Sequence, residues 1–217
     1  MIKLQNINKS FKNTKVLKDI NLEIQEGECV VFSGVSGSGK STLLSIIGAI
    51  LKPTSGVVEV DGLNIVSLSD YHLSNYRGSS VGFVTQSFHL FDMLNVRENI
   101  TPALLLGELT QKEIQKRVQE VMKIASIEHK QNDRVSTLSG GEKQRCMIAR
   151  ALVNNPKTVL CDEPTANLDK ENSLKFISIV KNLRESGKTI LIATHDPLIS
   201  ELEWIDRVIK IDEGKIE

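Results

Sequence analysis

Residues 29–47 read CVVFSGVSGSGKSTLLSII, an apolar run, a turn rich in glycine and serine, and a second apolar stretch. The first run predicts a short buried strand and the last stretch predicts a helix. Between them, Gly34–Ser41 matches the P-loop pattern, in which glycines let backbone N–H groups turn inward round a phosphate. The start of the helix adds the positive end of its dipole. We therefore expect Lys40 to reach the β- and γ-phosphates of a nucleotide and the Ser41 hydroxyl to bind Mg²⁺.

The rest of the chain alternates short β-rich runs with helical stretches, which predicts an α/β fold with a largely parallel sheet. From about Val96 to Asn155 the strand-like runs stop, and charged periodic segments predict helices, one of them from Gln111 to about Ser126. We expect a single domain over residues 1–217, with a helical subdomain at about 88–156 inserted in the α/β core. Further strands are predicted at Val57–Val60, Val81–Thr85, Thr158–Cys161, Thr189–Ala193 and Val208–Ile211.

The composition limits the classes of partner. The 27 Lys and Arg residues balance 27 Asp and Glu residues, so net charge gives no reason to propose nucleic acid or an anionic membrane. Cys29, Cys146 and Cys161 lie in apolar segments without metal-ligand spacing, which is typical of buried thiols in a reducing cytosol. No apolar run approaches the ~20 residues of a membrane-spanning helix. We expect a soluble chain that reaches a membrane only through a partner.

Two acidic residues follow the predicted strand at Thr158–Cys161. Neighbouring side chains at a strand end project in different directions, so Asp162 and Glu163 need not share one role. Asp162 suits the Walker-B position near Mg²⁺, and Glu163 suits a general base that polarises the attacking water. An Asp-Glu pair alone is equally typical of an exposed acidic turn, and the P-loop in the same chain favours the functional interpretation.

Two further polar residues follow predicted strands. His195 comes after Thr189–Ala193, at the sheet edge where such folds bind ligands, so it could hydrogen-bond the γ-phosphate. Gln86 comes after Val81–Thr85 and could touch Mg²⁺ or the attacking water. A lone histidine is more often structural, as we expect for His72, His89 and His129.

The segment Leu138–Arg145, LSGGEKQR, predicts a helix start. Ser139 and Glu142 have the spacing of a capping box, yet two glycines in the first turn cost helix stability unless something must approach the backbone closely. A helix tip of this kind is a second phosphate site. One nucleotide cannot readily occupy this tip and the P-loop of the same chain, and a two-fold dimer in which each chain closes the other's site resolves the difficulty.

These motifs, in this order along essentially the whole chain, resemble those of the ATP-binding cassette (ABC) ATPases. The resemblance implies a P-loop NTPase fold with an ABC-type core sheet, ATP and Mg²⁺ as cofactors, and hydrolysis by a dimer. It makes Glu163, His195, Gln86 and Lys40 catalytic, and places Ser41, Gln86 and Asp162 at the metal. Phe11 is implied to stack on adenine with Val16 beside it. The full set of implied nucleotide contacts is Phe11, Val16, Gly34, Val35, Ser36, Gly37, Ser38, Gly39, Lys40, Ser41, Thr42, Ser139, Gly140, Gly141 and Glu142.

The segments Gly82–Phe91 and Asp162–Asp169 resemble one bacterial subgroup, the ATPase subunits of lipoprotein-releasing, macrolide-exporting and cell-division systems. That resemblance implies a dimer, expected to be a homodimer with a heterodimer left open, that drives an integral membrane permease from the cytoplasmic face of the membrane, for transport or for mechanotransmission. The segment Phe88–Leu94 would couple the motion or else form ordinary core. Cargo and direction are not readable. The alternatives are an ABC ATPase acting on nucleic acid or ribosomes, a nucleotide switch without hydrolysis, and a GTPase. The single uninterrupted cassette argues against the first alternative, and the presence of both Glu163 and His195 argues against a switch without hydrolysis. The lack of a guanine-reading motif argues against a GTPase.

Overall fold

The computed structural model describes residues 1–104 and 109–217. Its strands are β1 (Ile2–Phe11), β2 (Thr14–Ile24), β3 (Cys29–Ser33), β4 (Ser55–Val60), β5 (Leu63–Asn64), β6 (Val81–Val84), β7 (Thr158–Asp162), β8 (Thr189–Ala193), β9 (Arg207–Asp212) and β10 (Lys215–Ile216). Its α-helices are α1 (Lys40–Ile47), α2 (Asp70–Ser79), α3 (Val96–Ile100), α4 (Gln111–Ile124), α5 (Gly140–Leu152), α6 (Lys170–Glu185) and α7 (Pro197–Ser200).

The central sheet has the strand order β10-β9-β3-β8-β7-β6. Its pairs are parallel from β9 to β6, and only β10 runs antiparallel, as a hairpin partner of β9. The prediction of strands β3, β6, β7, β8 and β9 from their apolar sequences is therefore confirmed. Because the strands are parallel, their carboxyl ends meet at one sheet edge, where the P-loop, Gln86, Asp162, Glu163 and His195 follow them.

A second sheet makes the prediction of one largely parallel sheet incomplete. Strands β2-β1-β4-β5 form an antiparallel sheet, and the predicted strand at Val57–Val60 belongs to it. Strands β1 and β2 bury roughly alternate residues and carry Lys, Asn or Gln between them, so they lack the continuous apolar run of a central strand. Strand β1 also has a partner that is remote in sequence, since Ile2 pairs with Val60 of β4.

Hydrophobic cores lie on both faces of the central sheet. Along β3, Cys29 and Val31 face a core shared with α3, α4, α5 and α6, whereas Val30 and Phe32 face a core shared with α1 and the antiparallel sheet. Burial raises the pKa of the Cys29 thiol to about 12, with the nearby Asp206 carboxylate adding to the effect. The three cysteines are free and buried, so each acts as a small apolar core residue, as the sequence predicts.

The region between β6 and β7 is helical, as predicted. Helix α4 ends at Ile124, before the predicted Ser126, because Ser126 has a φ of 53° that a helix cannot contain. Over the described part of Val96–Asn155 there is no strand, although Asn95 and Arg134 form one isolated bridge. The predicted insertion at 88–156 includes 105–108, which lie outside the described residues, and its boundaries stay a prediction. Of the helices in residues 1–104 and 109–217, none has the length and apolar content to cross a membrane.

Candidate functional site

The P-loop turns tightly between β3 and α1. Gly34 has a φ of 145°, and a Cβ added there would collide with the Ile211 carbonyl oxygen of β9. Gly39, with a φ of 111°, forms the N-cap of α1 in a left-handed conformation that side chains disfavour. These two glycines let the backbone curl beneath the space where a phosphate would lie.

The N-terminus of α1 is left open to an anion. No side chain caps it, and its first turn holds no acidic residue. Helices α3, α4, α5 and α6 each have a side-chain cap that accepts from a first-turn N–H group. The free N–H groups and positive dipole end of α1 therefore remain for a phosphate.

The Lys40 side chain lies inside the P-loop and binds its backbone. Its ammonium group donates to the carbonyl oxygens of Gly34 at 2.8 Å and Val35 at 2.9 Å, and its side chain is only 4% exposed. The same Nζ lies 3.7 Å from Glu163 Oε1. A buried cation at the centre of an N–H-lined loop is a strong electrostatic site for a nucleotide phosphate.

Ser41 and Asp162 form a paired oxygen site beside the loop. The Ser41 hydroxyl donates to Asp162 Oδ1 at 2.7 Å. Burial raises the pKa of Asp162, and the Ser41 hydrogen bond opposes that rise. Oxygen donors are what Mg²⁺ prefers, and at phosphate sites it takes few protein ligands, so these residues fit the predicted metal. Within the described residues no group of three His, Cys, Asp or Glu could hold a metal.

Glu163 lies between a lysine and a histidine. Its Oε2 is 3.0 Å from His195 Nδ1, and its Oε1 faces Lys40. The backbone leaves the strand sharply, because Glu163 has a φ of 44° and its N–H donates to the Ala193 carbonyl oxygen at 2.8 Å. A non-glycine residue in this conformation is strained, and such strain is concentrated at functional sites. Asp162 and Glu163 thus have different neighbours, as expected from adjacent positions at a strand end.

An open cleft of about 360 Å³ lies beside the P-loop, next to Lys40, Ser41 and Glu163. The cleft is lined by Val16, Ser36, Gly37, Gly39, Lys40, Ser41, Thr42, Gln86, Glu163 and His195. Sequence-predicted residues from five separate segments therefore meet at one place. Phe11 is not among the lining residues: it ends β1, is half-exposed, and has Lys9 Nζ 4.9 Å from its ring centroid. Its stacking on adenine stays a prediction.

The tip of α5 is built as predicted but lies away from this cleft. Ser139 Oγ accepts from the Glu142 N–H at 3.3 Å, and Glu142 Oε2 accepts from the Ser139 N–H at 2.8 Å, which confirms the capping box. The Ser139 backbone hydrogen bond is the main cause that lowers the pKa of Glu142. Glu142 thus stabilises the tip, and its direct contact with nucleotide stays a prediction. Ser139 and Gly140 are exposed and do not line the cleft of their own chain.

The two glycines of the tip have different surroundings. A Cβ on Gly140 would meet only the Asn167 carbonyl oxygen, at 3.6 Å. A Cβ on Gly141 would collide with the side-chain amide of Asn172, which is held by Arg145 at 2.9 Å and by the Asp169 carboxylate. The sequence predicted that some group approaches the backbone of this turn closely. At Gly141 that group is the Asn172 side chain of the same chain.

Sequence reasoning missed three residues behind Glu163. Thr194 lies 3.3 Å from Glu163 Oε2, Asp196 N–H donates to Thr194 Oγ1 at 3.0 Å, and Thr165 Oγ1 donates to Asp196 Oδ2 at 2.7 Å. Thr194 and Asp196 flank His195, and Thr165 follows Glu163 by two positions. Their place next to predicted site residues is the signal by which the sequence could have revealed them. No spacing rule links the two segments, which meet only because β7 and β8 are neighbours.

The segment Phe88–Leu94 divides between core and surface. Phe88 and Leu90 are partly buried against the core, which supports the core interpretation for them. Phe91 and Met93 are exposed by 62% and 74% and lie on the same loop that begins at Gln86.

Comparison with known proteins gives close matches over the whole chain. A family model described as ABC transporter matches residues 17–166. An uncharacterized ABC transporter ATP-binding protein, MJ0796, of Methanocaldococcus jannaschii is 41% identical over 226 residues, covering 100% of this chain and 95% of that protein. The macrolide export ATP-binding/permease protein MacB of Salmonella choleraesuis is 38% identical over 100% of this chain, which spans 34% of MacB.

Solved structures agree in fold. A dimeric structure of the MJ0796 cassette in a post-hydrolysis state with ADP and Pi has a TM-score of 0.92 and 40% identity, and the match covers 100% of this chain and 97% of that one. The cbiO1 structure from Clostridium perfringens, part of the transporter complex cbiONQ, has a TM-score of 0.90 and 34% identity.

Proposed function

The chain belongs to the ABC transporter family of ATP-binding proteins, and on that premise we propose that it is the ATP-hydrolysing motor subunit of a transporter or mechanotransmission complex. One observation carries the proposal: the Glu163 carboxylate lies in the P-loop cleft, between the Lys40 ammonium and the His195 ring. A carboxylate beside a phosphate cradle suits a general base for water, and it is hard to explain in a site that only binds nucleotide.

Each residue of the site has its own role in phosphoryl transfer. The open N-terminus of α1 and Lys40 bind and orient the phosphates, and Glu163 takes a proton from the attacking water. His195, with a side chain 64% exposed at the mouth of the cleft, hydrogen-bonds the γ-phosphate and Glu163. Ser41 and Asp162, with Gln86, would hold Mg²⁺, which when bound supplies charge to neutralise the phosphate oxygens.

The site needs a second chain to be complete. Ser139 and Gly140 present a hydroxyl and helix N–H groups to solvent, away from the cleft of their own chain. The Ser139 hydroxyl accepts from Glu142 and still has its proton to donate, so it can bind a phosphate without losing its capping role. In a two-fold dimer each tip would cover the nucleotide held by the other P-loop, and the dimeric structure of the similar MJ0796 cassette supports this arrangement.

A membrane permease is the partner we propose. A permease partner is supported by the similarity to MacB, an ATP-binding/permease protein of which this chain spans 34%. Phe91 and Met93, exposed on the loop that follows Gln86, are suited to pack against a permease segment at the cytoplasmic face of the membrane. Motion of Gln86 on loss of the γ-phosphate would then move the contact surface. No observation on the described residues favours action on nucleic acid or ribosomes.

The direct test is Glu163→Gln, which keeps the shape of the side chain and removes the base. We expect turnover of Mg-ATP to fall by at least ~100-fold, the usual range for a general base, while ATP binding persists and a stable dimer accumulates. Steady-state phosphate release and light scattering with ATP measure the two effects. Glu185→Gln, at an exposed carboxylate that ends α6, is the matched control and should behave as wild type. Wild-type turnover by Glu163→Gln would refute the general-base role.

A further inference from the structure

We propose that Thr194 is a positioning residue for hydrolysis, whose buried hydroxyl fixes the Glu163 carboxylate in the orientation that receives the proton of water. This inference rests on the proposed function, since it assigns Glu163 the role of base. It adds a residue that touches neither nucleotide nor metal and acts only through Glu163.

Thr194 is firmly placed at the end of β8. Its side chain is fully buried, and its backbone N–H donates to the Phe32 carbonyl oxygen at 3.0 Å, which continues the pairing of β8 with β3 one residue beyond the strand. A β-branched side chain in this extended setting has few rotamers. The hydroxyl is therefore presented to Glu163 from the rigid central sheet.

The direction of the hydrogen bond follows from its neighbours. The Asp196 N–H can only donate, so Thr194 Oγ1 must accept at that contact, of 3.0 Å. The one proton of the hydroxyl is then free for Glu163 Oε2, at 3.3 Å. The carboxylate thus receives a neutral donor from the protein interior, which constrains its orientation and leaves its charge available.

Further hydrogen bonds, made by Asp196, hold the Thr194 hydroxyl in place. The Asp196 carboxylate accepts from the Thr165 hydroxyl at 2.7 Å and from the Leu198 N–H at 2.9 Å. Thr165 lies two residues after Glu163, so the loop that carries the base and the loop that carries Thr194 are joined on both sides of the carboxylate. The Glu163 N–H bond to the Ala193 carbonyl oxygen is a further tie between the two loops.

The other neighbours of Glu163 cannot give the same constraint during reaction. His195 is largely exposed at the cleft mouth, and Lys40 lies 3.7 Å from the opposite oxygen, Oε1. Both are groups that would turn towards the phosphates of a bound nucleotide. Thr194 has no other acceptor among its described contacts, so its bond to Glu163 persists when nucleotide binds.

The test is Thr194→Val, which keeps the branched shape and removes the hydroxyl. We expect kcat for Mg-ATP to fall by ~10-fold while KM changes by less than about twofold, the pattern of an interaction that matters only in the transition state. Thr194→Ser, which restores a hydroxyl, should recover most of kcat. In the Glu163→Gln background, Thr194→Val should cause no further loss, because its effect passes through the base.

Thr189→Val is the matched control for folding. Thr189 is a buried threonine at the other end of β8, and its hydroxyl accepts from the Gly27 N–H at 2.9 Å, so its loss also leaves a backbone N–H group without that acceptor. It should lower the melting temperature about as much as Thr194→Val, with unchanged kcat.

The outcomes separate the two proposals. If Thr194→Val keeps wild-type kcat while Glu163→Gln is inactive, the positioning role is wrong and the proposed function stands. An equal loss of kcat in Thr189→Val, or a further loss in the Glu163→Gln background, also overturns the positioning role. If Glu163→Gln itself turns over at the wild-type rate, the proposed mechanism fails first.

Discussion

At the scale of single residues, the site depends on adjacent side chains with different duties. Asp162 pairs with Ser41 at the predicted metal position, whereas Glu163, one residue later, bends out of the strand towards Lys40 and His195. The positive φ of Glu163 makes this divergence possible, and the hydrogen bonds to Ala193 and Thr194 stabilise it. The proposed base is thus one of the non-glycine residues that have a positive φ.

The two glycines of the α5 tip give a prediction about stability. Gly141→Ala should lower the free energy of unfolding by about 1–3 kcal/mol, because Asn172 must leave its bonds to Arg145 and Asp169 to make room. Gly140→Ala should leave stability unchanged or raise it by up to ~1 kcal/mol, since alanine is the better helix former. Chemical denaturation measures both, and equal effects of the two substitutions would contradict this account of Gly141.

The residues that carry chemistry could be predicted because phosphate binding and proton transfer need particular residue types at fixed spacing. Lys40, Ser41, Gln86, Glu163 and His195 all contact or line the cleft. Thr194 and Asn172 could not be predicted, since each acts through a contact between segments that are far apart in sequence.

At the scale of secondary-structure elements, the parallel strands set the positions of the functional loops. The strands buried on both faces, β3, β7 and β8, have continuous apolar sequences, and sequence reasoning identified all three, together with β4, β6 and β9. Strands β1 and β2 bury one face and mix lysine and asparagine with isoleucine and leucine, so local patterns did not reveal them. Strand β1 also pairs with β4, where Ile2 lies opposite Val60.

One ion pair joins three elements of the core and gives a pH prediction. Asp206 precedes β9, accepts from the Cys29 N–H of β3 at 2.8 Å, and pairs with Arg184 of α6 at 2.5 Å. The hydrogen bond from Arg184 is the main cause that lowers the pKa of Asp206 below its usual value of 3.8. A lowered folded-state pKa contributes stability that is present above the unfolded pKa and is lost as pH falls through the folded pKa.

Asp206→Asn should therefore lower the free energy of unfolding by about 1 kcal/mol at pH 7, a value discounted for the partial exposure of the pair. The difference from wild type should shrink as pH falls below about 4, where the wild-type carboxylate takes up its proton. Urea denaturation of both proteins at several pH values measures this difference in the free energy of unfolding. Glu120→Gln, at an exposed ion pair with Lys116, is the control and should change stability by less than ~0.5 kcal/mol. A pH-independent loss in Asp206→Asn would show that charge is not the cause.

At the scale of the whole molecule, we propose that the P-loop cleft and the α5 tip of one chain belong to two different nucleotide sites of a dimer. The cleft holds the proposed base, the lysine and the predicted metal position, and the tip holds the exposed Ser139 hydroxyl, which does not line the cleft of its own chain. The dimer could be predicted from the sequence because a single chain presents two phosphate sites for one nucleotide. The identity of the proposed permease and its cargo could not be predicted, because this sequence does not show the residues that would contact the cargo.

The shared active centre is tested most directly by complementation between two defective variants. Gly140→Asp puts a negative charge in the first turn of α5, where it suits the helix dipole and repels a phosphate, so this chain folds but cannot complete its partner's site. Glu163→Gln has an intact tip but no base. Mixed dimers, isolated with one affinity tag on each variant, contain one site with an intact base and an intact tip.

We predict that these mixed dimers hydrolyse Mg-ATP in a burst of about one ATP per dimer, although each variant alone is nearly inactive. Phosphate release in a rapid-mixing experiment measures the burst. Hydrolysis no greater than the mean of the two parent variants would contradict an active centre shared between protomers.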